Sequence, residues 1–207
     1  KIGFVPTMGS LHQGHLSLID LVRDQSDLVI VSIFVNPTQF AEGEDLEKYP
    51  RDLERDLQLC KEHEVDFVFT PRMEDIYKEN ASTYIVEKSV SEKLCGQFRP
   101  SHFKGVTTIC AKLFNLCRPT FVALGQKDAQ QVSVLKRMIE DLHFPIEVIV
   151  GPIVRESDGL AMSSRNVYLN DTQREDARLI FQALITVKKL VDEEKTRKVD
   201  RMKEEIM

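Results

Sequence analysis

The stretch Pro6-Thr7-Met8-Gly9-Ser10-Leu11-His12-Gln13-Gly14-His15 follows the apolar run Ile2 to Val5 and opens an amphipathic run from Leu16 to Val22. That order predicts a strand, a glycine-bearing turn and a helix. A helix start presents unpaired backbone N–H groups and the positive end of the helix dipole, so it favours anions. His12 and His15 are one helical turn apart and can point the same way. Gly9 and Gly14 let a ligand come close to the backbone. Two imidazoles over such a turn suit the phosphates of a nucleotide.

Working outward, Leu28 to Val35 is a continuous apolar and β-branched run, as expected of a strand buried on both faces of a parallel sheet. Asn36-Pro37-Thr38-Gln39-Phe40 ends it, and an acidic loop follows from Glu42 to Glu47. After Tyr49-Pro50-Arg51 the pattern predicts a helix with Leu53, Leu57 and Cys60 on one face, then a strand over Val65 to Phe69. Residues 72–100 read as irregular, with a short strand at Tyr84 to Val86. Lys104 to Cys117 has apolar residues at helical spacing. Phe121 to Leu124 predicts a strand, Lys127 to Leu142 a helix, and Ile146 to Val150 a fifth strand. Strands alternating with helices predict an α/β fold, a doubly wound parallel sheet. Gly151-Pro152 marks the expected boundary, giving domains 1–152 and 153–207. In the second, Thr172 and Glu175 have the spacing of a capping box, and Ala177, Ile180, Leu184, Val187 and Val191 form an apolar stripe.

The totals bound the function. The chain has 207 residues, 42% hydrophobic and 29% charged, with a formal net charge of −5. This charge gives no electrostatic reason to expect nucleic acid or an anionic membrane as partner. Cys60, Cys95, Cys110 and Cys117 form no C-x-x-C pair and read as packing thiols of a reducing compartment. No apolar run approaches the roughly 20 residues of a membrane span and no signal peptide is visible, so a cytoplasmic location is expected. Starting at Lys1, the chain is expected to lack a short N-terminal segment.

Three further clusters fall just after predicted strands or turns, where open α/β sheets bind ligands. Gln39 follows a strand, and its amide suits a ligand carrying hydroxyls and a carboxylate. Gly125-Gln126-Lys127-Asp128-Ala129-Gln130-Gln131 repeats the strand, glycine, helix-start order. A cation at a helix start is opposed by the dipole, so Lys127 points to an anionic ligand, whereas Asp128 also fits a routine cap. Gln131 is in register with Leu135, Met138 and Leu142, on the stripe expected to face the core, where a buried amide needs partners that a ligand could supply. Met162-Ser163-Ser164-Arg165 places two hydroxyls and a guanidinium in a flexible loop suited to clamping a triphosphate. Asp52 and Asp56, one turn apart, are candidates for holding Mg²⁺ or for balancing the helix dipole. Arg99-Pro100-Ser101-His102-Phe103-Lys104 suits either an anion or a cover for the sheet edge, and the sequence leaves Arg99, His102 and Lys104 without a role.

Together these motifs resemble the pantothenate synthetase (pantoate–β-alanine ligase) family. The matching runs are 6–15, 34–40, 49–51, 99–106, 125–131 and 154–166, in the family's order. The resemblance implies a Rossmann-type, nucleotidylyltransferase-like domain with a smaller C-terminal domain, incomplete here, and a homodimer. It implies ATP as co-substrate and Mg²⁺, with pantoate and β-alanine as substrates. ATP would be bound by Met8, Gly9, Ser10, Leu11, His12, Gln13, Gly14 and His15, by Gly125, Gln126, Lys127 and Asp128, by Val154, and by Met162, Ser163, Ser164 and Arg165. Of these, His12, His15, Lys127, Ser163, Ser164 and Arg165 would serve catalysis, with His15 at the position of the proton donor. Gln39 and Gln131 would hold pantoate, Gln39 also lying near β-alanine, and Asp56 matches the region associated with Mg²⁺. Gln126 and Ala129 stand where this family often has Glu and an aromatic.

The implied reaction is a two-step ligation through pantoyl adenylate. It needs no side-chain nucleophile, in keeping with a site rich in His, Lys, Ser and Arg. One rival is a nucleotidylyltransferase acting on a phosphorylated small molecule, for which Arg99 and Lys104 would supply cations. The other is a nucleotide-binding relative without catalysis.

Overall fold

The computed structural model describes residues 1–206. The chain divides into two compact units, Lys1–Ile153 and Val154–Met207.

The first unit is built on a five-stranded, wholly parallel sheet of β1 (Ile2–Thr7), β2 (Leu28–Ile33), β3 (Phe67–Phe69), β4 (Phe121–Gly125) and β5 (Glu147–Gly151). The strand order is β3-β2-β1-β4-β5. Parallel neighbours need crossover connections, and here these are α1 (Gln13–Arg23), α2 (Leu53–Glu62), α5 (His102–Cys117) and α6 (Ala129–Asp141). Strand side chains alternate between the faces. Phe4, Val122 and Leu124 therefore pack with Val106, Phe114 and Leu135 of α5 and α6. Val5, Phe121 and Ala123 pack on the other face with Ile19 and Val22 of α1 and Cys60 of α2. Between them, short helices α3 (Met73–Ile76) and α4 (Cys95–Phe98) interrupt the stretch expected to be irregular.

Two expectations for this unit are corrected. Leu53 and Leu57 are 47% and 42% exposed, whereas Asp56 is 1% exposed beside buried Cys60. The inner face of α2 is thus chosen by a carboxylate with partners beneath it. Tyr84 to Val86 is not a strand. Its backbone is pinned to α5 by threonines: Ile85 N donates to Thr108 Oγ1 at 3.0 Å, and Thr107 Oγ1 donates to the Ile85 carbonyl at 2.7 Å.

In the second unit, Arg155 and Ala161 form an antiparallel bridge. A 3₁₀ turn at Ser164–Tyr168 precedes α7 (Asp171–Asp192), and α8 (Val199–Glu204) lies in the charged tail. The capping box of α7 is Asn170 with Gln173, two residues before the expected pair. Asn is as good an N-cap as Thr, and here it takes the position. Ile180 and Leu184 of the predicted stripe are exposed.

The centre of the first core is Phe114, edge-on to Phe4 at 6.3 Å and to Phe144 at 5.8 Å between ring centroids. Phe114→Ala is expected to lower unfolding free energy by about 3–5 kcal/mol, read by urea titration. A loss below about 1 kcal/mol would show that this cluster does not hold the sheet.

Candidate active site

The carboxyl ends of β1 and β4 lie side by side, and their connections leave to opposite faces. This is the switch point at which open α/β sheets form a crevice. Residues 8–15 follow β1, residues 36–40 follow β2 and residues 126–131 follow β4, so three of the predicted clusters share one end of the sheet.

The turn after β1 is left-handed at two consecutive residues, Gly9 (φ +80°) and Ser10 (φ +51°). Its amides are not open, contrary to the expectation of bare helix-start donors. Gly9 N donates to Thr7 Oγ1 at 3.1 Å. Ser10 N and Leu11 N donate to Asp56 Oδ2 and Oδ1, both at 2.7 Å. His12 N donates to His15 Nδ1 at 3.3 Å, and Gly14 N to His12 Nδ1 at 3.1 Å, which closes a capping box on α1 made of two histidines. Anion recognition here therefore falls to side chains.

Both imidazoles accept on Nδ1, which leaves their Nε2–H edges as donors. The rings lie 4.1 Å apart between centroids, tilted by 38°. Burial, then the charges of His12 and Lys127, pull the His15 pKa from 6.5 down to about 3. At neutral pH His15 is an uncharged N–H donor, and the ammonium of Lys127 acts on it from the far side of the switch point. Lys127 lies in the 3₁₀ turn Gln126–Asp128 that follows Gly125, with Asp128 Oδ1 at 3.4 Å from its Nζ. Asp128 stands at the N-cap position of α6 without capping it, so the routine cap is not its role, and its contact is with Lys127. Gln131, in the first turn of α6, is half-buried, and its amide takes no partner among the described residues.

Asn36, unmarked by the sequence reading, organises the β2 cluster. It is 1% exposed. Its Nδ2 donates to Gln39 Oε1 (3.0 Å) and to the Gly105 carbonyl (3.2 Å), while its Oδ1 accepts from Thr38 Oγ1 and Tyr77 Oη, both at 2.9 Å. This fixes which way the Gln39 amide faces, and its Nε2 then points at Met8 Sδ, 3.0 Å away. A Cβ on Gly105 would lie 2.4 Å from the Thr38 carbonyl, so only glycine admits this approach. The signal available in sequence was a lone Asn directly after a buried strand.

Arg99 and His102 support the same cluster from the start of α5. Arg99 pairs with Glu44 through Nη2 at 2.6 Å and reaches the Gln39 carbonyl at 3.4 Å, while His102 Nδ1 lies 2.8 Å from that carbonyl. The Arg99 hydrogen bonds hold the Glu44 carboxyl below its usual range. Lys104 is 3.9 Å from the centre of the Tyr84 ring.

In the second unit, Ser163 caps the turn that carries Ser164 and Arg165, accepting from Arg165 N at 3.2 Å, and Ser164 is buried. Met162 N donates to the Val154 carbonyl at 3.0 Å. Glu156 accepts from Asn166 at 2.8 Å and from Arg174 at 3.0 Å, and Arg174 also meets Asp158 at 2.7 Å. The 162–165 segment is thus a braced turn and not the flexible loop expected.

For Mg²⁺ the protein's own residues do not fit. Among the described residues no group of three or more His, Cys, Asp or Glu could hold a metal ion. Asp52 caps α2 on Arg55 N, and both Asp56 oxygens are taken by backbone amides. Asp56 is accordingly withdrawn as a metal ligand.

Residues 1–207 match the family model described as pantoate-beta-alanine ligase. The chain belongs to that family. It is 57% identical over 191 residues to the pantothenate synthetase of Thermoanaerobacter sp. (strain X514), covering 92% of this chain and 68% of that one. To the enzyme of Thermodesulfovibrio yellowstonii it is 55% identical over 193 residues, covering 93% and 69%. Among solved structures, a pantothenate synthetase from Thermus thermophilus superposes with a TM-score of 0.90 at 48% identity, covering 92% of this chain and 69% of that one. The Francisella tularensis pantoate-beta-alanine ligase, solved with beta-gamma ATP and beta-alanine, gives 0.84 at 43%, covering 88% and 70%.

His15 thus has a testable protonation state in this chain. His15 should stay neutral from about pH 8 to pH 5, with its proton on Nε2, as read by ¹⁵N-resolved NMR of the imidazoles. Since its folded pKa lies below the unfolded value, its contribution to stability is full above pH 6.5 and is lost as pH falls towards about 3. A His15 midpoint near 6.5 would contradict the site as described.

Proposed function

We propose that this chain condenses pantoate with β-alanine at the expense of ATP, forming the amide of pantothenate and releasing AMP and pyrophosphate. The observation that carries the reading is the His15 ring held on its Nδ1 by the His12 amide, which turns Nε2–H outward as a donor, with the Lys127 charge acting on it at the β1/β4 switch point. It is a donor and a cation where phosphoryl charge grows.

In the first step a pantoate carboxylate oxygen attacks the α-phosphorus in line, and pyrophosphate leaves with the bridging electrons. His15, His12 and Lys127 donate to the phosphoryl oxygens, with Met8 beside them. Ser163, Ser164 and Arg165, with Met162, close on the triphosphate, while Gly125 and Asp128, with Gln126 beside them, take the ribose and the backbone around Val154 the adenine. In the second step the amine of β-alanine attacks the acyl carbon, and AMP leaves carrying the bridging oxygen. Gln39, its amide orientation fixed by Asn36, and Gln131, its amide without a partner, hold pantoate's hydroxyls and carboxylate, Gln39 also facing β-alanine. Mg²⁺ is proposed to arrive on the triphosphate, the usual way this ion joins nucleotide sites, and no step is assigned to it. A homodimer in the cytoplasm completes the proposal.

A phosphorylated acceptor is disfavoured by the same geometry. Arg99 is engaged by Glu44 and Lys104 stacks on Tyr84, so neither cation is set out for a phosphate ester.

AMP should form only when ATP, Mg²⁺, pantoate and β-alanine are all present. Lys127→Ala and His15→Ala should each slow pantoate-dependent exchange of pyrophosphate into ATP by about 100- to 1,000-fold while melting as cooperatively as the parent. Near-parental exchange in both variants would remove these roles, and ATP binding without AMP formation would favour a relative that has lost catalysis.

A further inference from the structure

The turn that carries the histidine pair cannot hold itself in place. Ser10 at φ +51° occupies a left-handed conformation that is strained for a non-glycine residue, directly after a left-handed Gly9. What secures it comes from α2. The buried Asp56 carboxylate spans Ser10 N and Leu11 N, and the adjacent Arg55 Nη1 donates to the Leu11 carbonyl at 2.8 Å. The carboxylate also lies hard under the turn, since a Cβ on Gly9 would be 2.9 Å from Asp56 Oδ2. From Leu11 the chain passes at once into His12, whose own N–H fixes the His15 ring through Nδ1. In this loop an internal carboxylate occupies two backbone amides of the turn.

From this we infer that Asp56, seconded by Arg55, is a positioning residue for the adenylation step: it sets the Gly9–Ser10 turn so that His12 and His15 present their Nε2–H edges to the nucleotide. The inference rests on the proposed function for its kinetic side only. A displacement of about 1 Å at a catalytic group costs on the order of 100-fold in rate, so the clamp is visible in turnover. Asp56→Asn keeps the shape but sets an NH₂ against one of the two N–H groups and leaves that amide without an acceptor. Arg55→Met removes only the arm to the Leu11 carbonyl, from an exposed residue.

The test has two independent readouts. In the first, kcat for pantoate-dependent pyrophosphate exchange should fall roughly tenfold to 100-fold in Asp56→Asn and less in Arg55→Met. The ATP KM should move less than about threefold, and the Mg²⁺ concentration for half-maximal rate should not change. In the second, which needs no substrate, the imidazole nitrogens of His15 should shift in both folded variants at about pH 7. Activity restored by high Mg²⁺ would make Asp56 a metal ligand and overturn the proposal. So would unchanged His15 nitrogen shifts in Asp56→Asn. If that variant does not fold, unshifted His15 nitrogens and parental kcat in Arg55→Met overturn it. A parent chain without pantoate-dependent exchange would refute the assigned reaction and leave the NMR result to judge the clamp.

Discussion

The site depends on one constraint of chain topology. Parallel strands cannot be joined by tight turns, and each crossover must cover one face of the sheet. With the order β3-β2-β1-β4-β5, the connections of the two central strands go to opposite faces. Their carboxyl ends are therefore the place where the sheet's edge is left uncovered by its own helices. Met8, Lys127 and the histidines gather there because β1 and β4 end there. Gln39 is brought alongside by β2, and its amide is aimed by a buried asparagine.

The electrostatics of this crevice are economical. The loop after β1 uses its backbone donors on Thr7, Asp56 and the two imidazole Nδ1 atoms, so nothing of the backbone between Gly9 and His12 is left to bind a phosphate indiscriminately. Anion recognition is left to side chains, of which His15 is held uncharged chiefly by its burial. A neutral His15 donates without adding a second full charge to that of Lys127. The low pKa keeps His15 an uncharged N–H donor at neutral pH. The same burial that lowers the pKa holds the ring still.

Much of this was legible in the residues. Strands such as Leu28 to Ile33 are apolar on both faces because both faces are covered, and that pattern survives without any tertiary knowledge. The H-x-G-H run, Gln39, Lys127 and Asp128 were marked by sitting just after such strands. Periodicity failed where a polar group won a buried place. On α2 the leucine spacing predicted Leu53 and Leu57 inward, yet Asp56 is the buried member because two amides wait for it. Spacing leaves Asp56 open between Mg²⁺ and the helix dipole for the same reason, since its amide partners are distant in sequence. Asn36 was passed over because a single buried amide has no periodicity. At Tyr84 to Val86 the β-like residues were real, but two threonines of α5 took the backbone bonds that a neighbouring strand would have supplied.

A carboxylate attacking the α-phosphate within this crevice is the central claim, and the fate of one oxygen decides it. Pantoate labelled with ¹⁸O in its carboxylate should be turned over with ATP and β-alanine, and the released AMP analysed by mass spectrometry. The expected result is one ¹⁸O transferred to each AMP formed. AMP free of label, with product still accumulating, would mean that no pantoyl adenylate forms and that the histidines and Lys127 serve some other chemistry.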